Sequence, residues 1–127
     1  PPPLQVGLRL LDTNNQIDLL YSDSVQTADV EIFYMDQQTK IQLPASFIRD
    51  TSLKMVTLFP LGWCQKSSLG VNTFYLQFMP TDIDTIQLDV TQTTEKCCSV
   101  EKLTQYNING KPLDKNNSTL NTWEFRK

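Results

Sequence analysis

The chain has 127 residues and a mass of 14.6 kDa, with 14 acidic against 11 basic side chains, a formal charge of -3 and no histidine. Without histidine there is no Ser-His-Asp or Cys-His nucleophile, no imidazole-held zinc, no facial iron triad and no haem on a histidine ligand. A net negative charge without a Lys/Arg cluster argues against a nucleic-acid surface, and no apolar run approaches the ~20 residues of a membrane-spanning helix.

Triple proline at Pro1, Pro2 and Pro3 reads as a semi-rigid, extended spacer left when a targeting segment is removed, so residues 1–3 are expected to be a tether remnant. Residues 4–127 are then one domain, and a chain of this mass buries roughly two-thirds of the surface its unfolded form exposes. Residues 5–10 alternate, with Val6, Leu8 and Leu10 on one face. After the turn cluster at residues 12–15, residues 17–21 form an apolar segment that can pair back. Val30, Ile32 and Tyr34 share a face of the next strand, and residues 40–43 return antiparallel until Pro44 stops them.

Residues 52–59 predict a further strand, and residues 61–71 a long loop carrying Trp63, Cys64 and the Ser67-Ser68 pair. Phe74, Leu76 and Phe78 alternate cleanly, as do Ile86, Leu88 and Val90, giving the clearest half-buried hairpin in the chain. Between Val100 and Leu103 the phase slips, which suggests a bulge, and Asn109-Gly110 is a strong hairpin turn. Residues 122–126 form the last strand. No segment carries a sustained 3.6-residue stripe with caps, so the pattern predicts an all-β, antiparallel β-sandwich, immunoglobulin-like or related, of about seven to nine short strands.

The order of elements carries a resemblance. An opening strand, the run Asp18-Leu19-Leu20-Tyr21, the strand Val30-Glu31-Ile32-Phe33-Tyr34, the segment Asp82-Ile83-Asp84-Thr85-Ile86, the start Lys96-Cys97-Cys98 and the turn from Tyr106 to Lys111 follow one another. This looks like the small uncharacterised envelope lipoproteins of Bacteroidetes. The resemblance implies a secreted β-sandwich held at the cell envelope, in the periplasm or at the outer membrane, by an N-terminal lipid upstream of Pro1. That lipid is then its only link to the membrane. It implies no activity, no cofactor and an unknown protein or glycan as partner.

Catalytic readings are thin. Asp82 and Asp84 bracket one residue, as in calcium loops, but no Asp-x-Asp-x-Asp-Gly run follows, and such aspartates more often accept local backbone N–H groups. The four glutamates are Glu31, Glu95, Glu101 and Glu124, and Glu31 and Glu124 read as solvent-facing strand positions rather than a glycosidase pair. Ser67-Ser68 lacks a Gly-x-Ser-x-Gly frame and reads as exposed polar loop. No enzyme is therefore expected, and no metal or cofactor site.

Two features remain. Phe59, Leu61, Trp63 and Leu69 cluster around the long loop. Exposed together they form an apolar binding patch; packed over the sandwich end they cap the core, which is the reading we favour. Among the cysteines, Cys98 shares a face with Val100 and reads as core, so if a disulfide forms, Cys97 is the better partner for Cys64. Three free thiols are the preferred alternative.

Overall fold

The computed structural model describes residues 4–95, 98–116 and 121–127, so the expected tether at residues 1–3 lies outside the described residues. Its strands are β1 (Gly7–Leu11), β2 (Glu31–Asp36), β3 (Thr39–Leu43), β4 (Ala45–Asp50), β5 (Met55–Pro60), β6 (Thr73–Met79), β7 (Asp82–Glu95), β8 (Cys98–Ile108), β9 (Lys111–Pro112), β10 (Asp114–Lys115) and β11 (Thr122–Arg126). They form a five-stranded sheet in the order β10-β11-β1-β5-β4 and a six-stranded sheet in the order β3-β2-β6-β7-β8-β9. The protein is an all-β sandwich, with eleven strands among the described residues rather than seven to nine. Every strand pairing among them is antiparallel except that of β1 with β11.

The period-two pattern becomes the core directly. Leu8 and Leu10 of β1 and Val56 and Leu58 of β5 face Ile32, Phe74, Leu76, Ile86, Leu88 and Ile108 of the other sheet, all buried. An aromatic chain crosses this core edge to face. Trp63 lies 5.6 Å from Phe74 and 5.7 Å from Tyr106, and Tyr106 lies 5.5 Å from Trp123. Such pairs add to simple area burial. The Asn109-Gly110 turn is as expected: both residues have positive φ (52° and 82°), and Ile108 pairs with Lys111 across it.

Five local readings are corrected. The β7–β8 bulge exists, but the register shifts between Asp89 and Val90, opposite Gln105 and Leu103, so the extra residue is Thr104. Residues 17–21 form no strand beyond one bridge between Asp18 and Leu11. There the Asp18 carboxylate accepts the backbone N–H groups of Tyr21 (2.8 Å) and Val56 (3.2 Å), and side-chain bonds of this kind compete with a ladder. The same carboxylate meets Arg9 Nε at 2.8 Å, so Asp18 is wedged between β1 and β5 where those strands part. The strand expected from residue 52 begins only at Met55, after a turn that the Asp50 carboxylate ties down by accepting Leu53 N–H. Pro44 ends β3 but does not end extended structure; the chain crosses to the other sheet and continues as β4. β4 buries little and has one strand neighbour, so its sequence carries no alternation to read. Finally, residues 61–71 contain a short helix, α1 (Trp63–Ser68), too brief for a 3.6-residue stripe to register.

Candidate binding groove

The sandwich closes at one end where β1 and β11 finish and β7 begins. A groove of about 450 Å3 opens there between the β8–β9 turn and the β10–β11 pair. Its apolar walls are Ile108, Pro112, Leu113 and Phe125. The rim is charged, and its geometry follows from the strand register.

Asp84 lies in phase with Ile86 and Leu88, so β7 carries a carboxylate into the core-facing series at the sandwich end, where it is 3% exposed. A buried charge needs a partner. Lys127 Nζ supplies it, bridging Asp84 Oδ2 at 2.7 Å and Asp82 Oδ2 at 2.5 Å. Lys127 is itself held by its backbone, whose N–H donates to Leu11 O and whose carbonyl accepts from Thr13 N. Burial alone pushes the Lys127 ammonium down, but hydrogen bonds and charge from Asp82 and Asp84 outweigh it and hold the group above its ordinary range. Asn109, at the hairpin turn, donates from Nδ2 to Asp84 Oδ1 (2.9 Å) and accepts Thr85 N–H at Oδ1 (2.9 Å).

The opposite rim is a second ion-pair chain. Arg126 Nη1 meets Asp114 Oδ2 at 3.1 Å and its Nη2 meets Glu124 Oε1 at 2.9 Å, while Glu124 Oε2 accepts from Arg9 Nη1 (3.0 Å) and Asn116 Nδ2 (3.1 Å). Glu124 is thus largely covered by its neighbours rather than facing solvent. Glu31 pairs with Lys40 on the outer face of the six-stranded sheet, so Glu31 and Glu124 stand on different sheets and do not meet.

The expected patch residues separate. Trp63 is 1% exposed and donates from Nε1 to Val6 O at 3.1 Å, so it is a core residue and offers no surface. Its indole is amphipathic, and α1 delivers both the ring and the N–H inward. The Phe59 ring lies over Gly7, where an added Cβ would come within 2.7 Å of Phe59 Cε1. Leu61 and Leu69 are exposed, at 51% and 83%. Phe59, Leu61 and Trp63 border only a small cleft of about 120 Å3.

Cys64 is a buried free thiol on α1, and burial, with a lesser push from the Glu101 carboxylate, raises it to about 12. Cys97 and the side chain of Cys98 lie outside the described residues. Ser67 is not exposed loop: it is 3% exposed, its Oγ donates to Leu88 O (2.6 Å) and accepts Val90 N–H (2.9 Å). α1 thus takes over pairing with β7 where β6 stops. Asp82 and Asp84 bind Lys127, and among the described residues no group of three or more acidic or cysteine side chains is placed to hold a metal.

Sequence reading missed the groove. Lys127, Asn109 and Phe125 are far apart in the chain from Asp84: the β7–β8 pairing brings Asn109 to it, and the parallel pairing of β1 with β11 brings Phe125 and Lys127. The one legible signal was the Asn109-Gly110 turn, which fixes Asn109 at the end of β8. Comparison with protein-family models, curated proteins and solved structures gives no match.

Proposed function

We propose that this chain is a non-catalytic, lipid-tethered module of the cell envelope that acts by binding, and that its ligand sits in the groove over Phe125 and Leu113. The observation that carries the binding reading is the state of the rim. Asp82 and Asp84 share Lys127, and Asp114 and Glu124 share Arg126, which makes a preorganised, net acidic rim of paired charges around an apolar floor. Such a rim orients a ligand at low entropic cost. The envelope reading rests on the resemblance alone. Two measurements test the proposal. Fractionation of the full-length protein should place it with envelope membranes, and recovery as an uncleaved cytoplasmic protein overturns the location. NMR titration with peptide and oligosaccharide libraries should shift the Asn109, Phe125 and Lys127 amides first; turnover of any library member overturns the non-catalytic reading.

A second reading, a glycan- or protein-binding accessory domain of a surface nutrient-uptake system, is favoured by one feature. On the outer face of the six-stranded sheet, Phe33 and Tyr75 stack at 5.3 Å, Tyr75 pairs with Thr85, and Thr73 contacts Gln87 at 3.3 Å. Phe33 is buried beneath Lys40 and backs the half-buried Tyr75 ring, whose remaining exposed part beside an amide and a hydroxyl suits a sugar. Tyr75→Ala removing oligosaccharide binding, with groove amides unmoved, supports this reading over the first.

A further inference from the structure

The Lys127–Asp84 pair has the geometry of two reactants as well as of an ion pair. Lys127 Nζ stands 2.7 Å from Asp84 Oδ2 and 2.5 Å from Asp82 Oδ2, an amine between two carboxylates. Other pairs differ in kind. Lys40 meets the single carboxylate of Glu31 at an exposed position, and Arg9 and Arg126 carry guanidiniums, which stay protonated and are no nucleophiles.

Both partners are fixed by backbone rather than by the ion pair itself. Asp84 lies in β7 opposite Leu76 of β6 and is 3% exposed. Lys127 donates its N–H to Leu11 O and accepts Thr13 N–H at its carbonyl. The Asp84 carbon is one bond beyond the oxygen that Nζ touches, so Nζ starts close to the separation of about 3–3.5 Å from which bonds form. The Phe78 ring covers Nζ at 5.1 Å. At the other oxygen, Asp84 Oδ1, Asn109 Nδ2 donates at 2.9 Å, and Asn109 is itself held through Thr85, whose carbonyl takes its N–H and whose N–H it accepts.

We propose that Lys127 and Asp84 condense into an intramolecular isopeptide bond between Nζ and Cγ, tying β7 of one sheet to the end of β11 of the other, with Asp82 carrying a proton and Asn109 stabilising the oxyanion. The ammonium passes one proton to Asp84 Oδ2, which leaves a neutral amine facing a neutral acid. The Nζ lone pair bonds to Cγ, and the carbonyl electron pair moves onto Oδ1, where Asn109 Nδ2 already points. Asp82 takes a second proton from Nζ and delivers it to Oδ2. The Cγ–Oδ2 bond then breaks, water leaves, and Oδ1 re-forms the carbonyl. Ammonium and carboxylate thus give amide and water with no further reactant, and Asp82 ends as it began. Fixed orientation supplies an effective concentration of up to about 10^5–10^8 M, and burial of Asp84 withholds the water that would favour the ions. Burial lowers the Lys127 ammonium and the two carboxylates raise it by more, so the first proton transfer is uphill and the bond forms once, slowly, after folding. The reaction consumes one charge of each sign. The net charge of the groove rim is therefore unchanged, and the inference does not depend on what the groove binds.

Mass spectrometry of the denatured wild-type chain, after incubation of the folded protein at neutral pH, should give a mass one water below that of the sequence. A proteolytic digest should contain a branched peptide joining the Asp84 and Lys127 segments. Lys127→Arg, which keeps the charge, and Asp82→Asn, which keeps the Lys127–Asp84 pair, should both stay at full mass with the far-UV circular dichroism of the wild type. A wild-type chain still at full mass after prolonged incubation overturns the proposal, because the trio is then an ion pair only. Water loss that persists in Lys127→Arg overturns it too, since dehydration elsewhere then accounts for the mass. Asp82→Asn converting as fast as wild type overturns the proton-carrying role of Asp82.

Discussion

Ser67→Ala tests whether α1 is a working part of the β-sheet. In the folded chain Ser67 Oγ donates to Leu88 O at 2.6 Å and accepts Val90 N–H at 2.9 Å, at a point where β7 has run past the end of β6. Alanine removes both bonds, and a longer one accepted from Asn72 Nδ2 (3.4 Å), without changing the packing volume greatly. The two losses differ in cost. Leu88 O keeps a second donor, Asn72 Nδ2 at 3.4 Å, so its loss is partial. Val90 N–H has Ser67 as its acceptor, and Val90 is 4% exposed, so water does not readily replace it. Leaving one buried donor unsatisfied costs about 1–3 kcal/mol, and we expect about 2 kcal/mol for the substitution. With a urea slope of about 1–3 kcal/mol/M, the unfolding midpoint falls by roughly 1 M at unchanged slope. Ser68→Ala is the control. Ser68 Oγ donates to Gln65 O in solvent, and its loss should stay within about 0.5 kcal/mol. If Ser67→Ala proves as mild as Ser68→Ala, α1 does not support the β7 ladder and the reasoning fails.

Asp18→Ala should cost about 1–3 kcal/mol in the same denaturation assay, because it leaves the Val56 and Tyr21 N–H groups without their acceptor while Arg9 keeps Glu124; a loss below about 0.5 kcal/mol contradicts the wedge. Gly7→Ala should cost about 1–3 kcal/mol, since the new Cβ meets both the Phe59 ring and Thr57 Cγ2 at 2.7 Å; Gly7→Ala combined with Phe59→Leu should recover part of it. Cys64 should resist alkylation in the native protein and react on unfolding, as read by mass mapping of the Cys64 peptide; rapid native labelling refutes its burial. Because the folded Cys64 thiol is raised from 9.0 to about 12, the native state holds its proton longer than the unfolded chain, so its contribution to stability is complete below pH 9 and is lost as pH rises toward 12. Tyr106, raised first by burial and then by Cys64, acts in the same direction, and phenolate absorbance should appear together with unfolding rather than before it.

Much of the sandwich was legible because a half-buried strand writes its burial into every second residue. Leu8 and Leu10, Phe74 and Leu76, and Ile86 and Leu88 each sit in alternation, and each is buried. The Asn109-Gly110 turn was equally readable, since positive φ at both central residues demands those side chains. What tertiary structure decided is everything held by single bonds between distant segments. Ser67 reads as a loop residue and Asp18 as part of a segment that pairs back, yet each instead replaces a missing strand partner through its side chain, and no local pattern announces where a neighbouring strand will stop. β4 was invisible for the opposite reason: an edge strand buries so little that its sequence need not alternate. Trp63 could cap or could be exposed, and its burial was set by Val6 O lying within reach of the indole N–H at the start of β1. Asp84 shows the limit most sharply. Its place in the alternation is plain from Ile86 and Leu88, but a carboxylate in a core-facing series is tolerable only with a counter-ion, and the parallel pairing of β11 with β1 is what carries Lys127 to it.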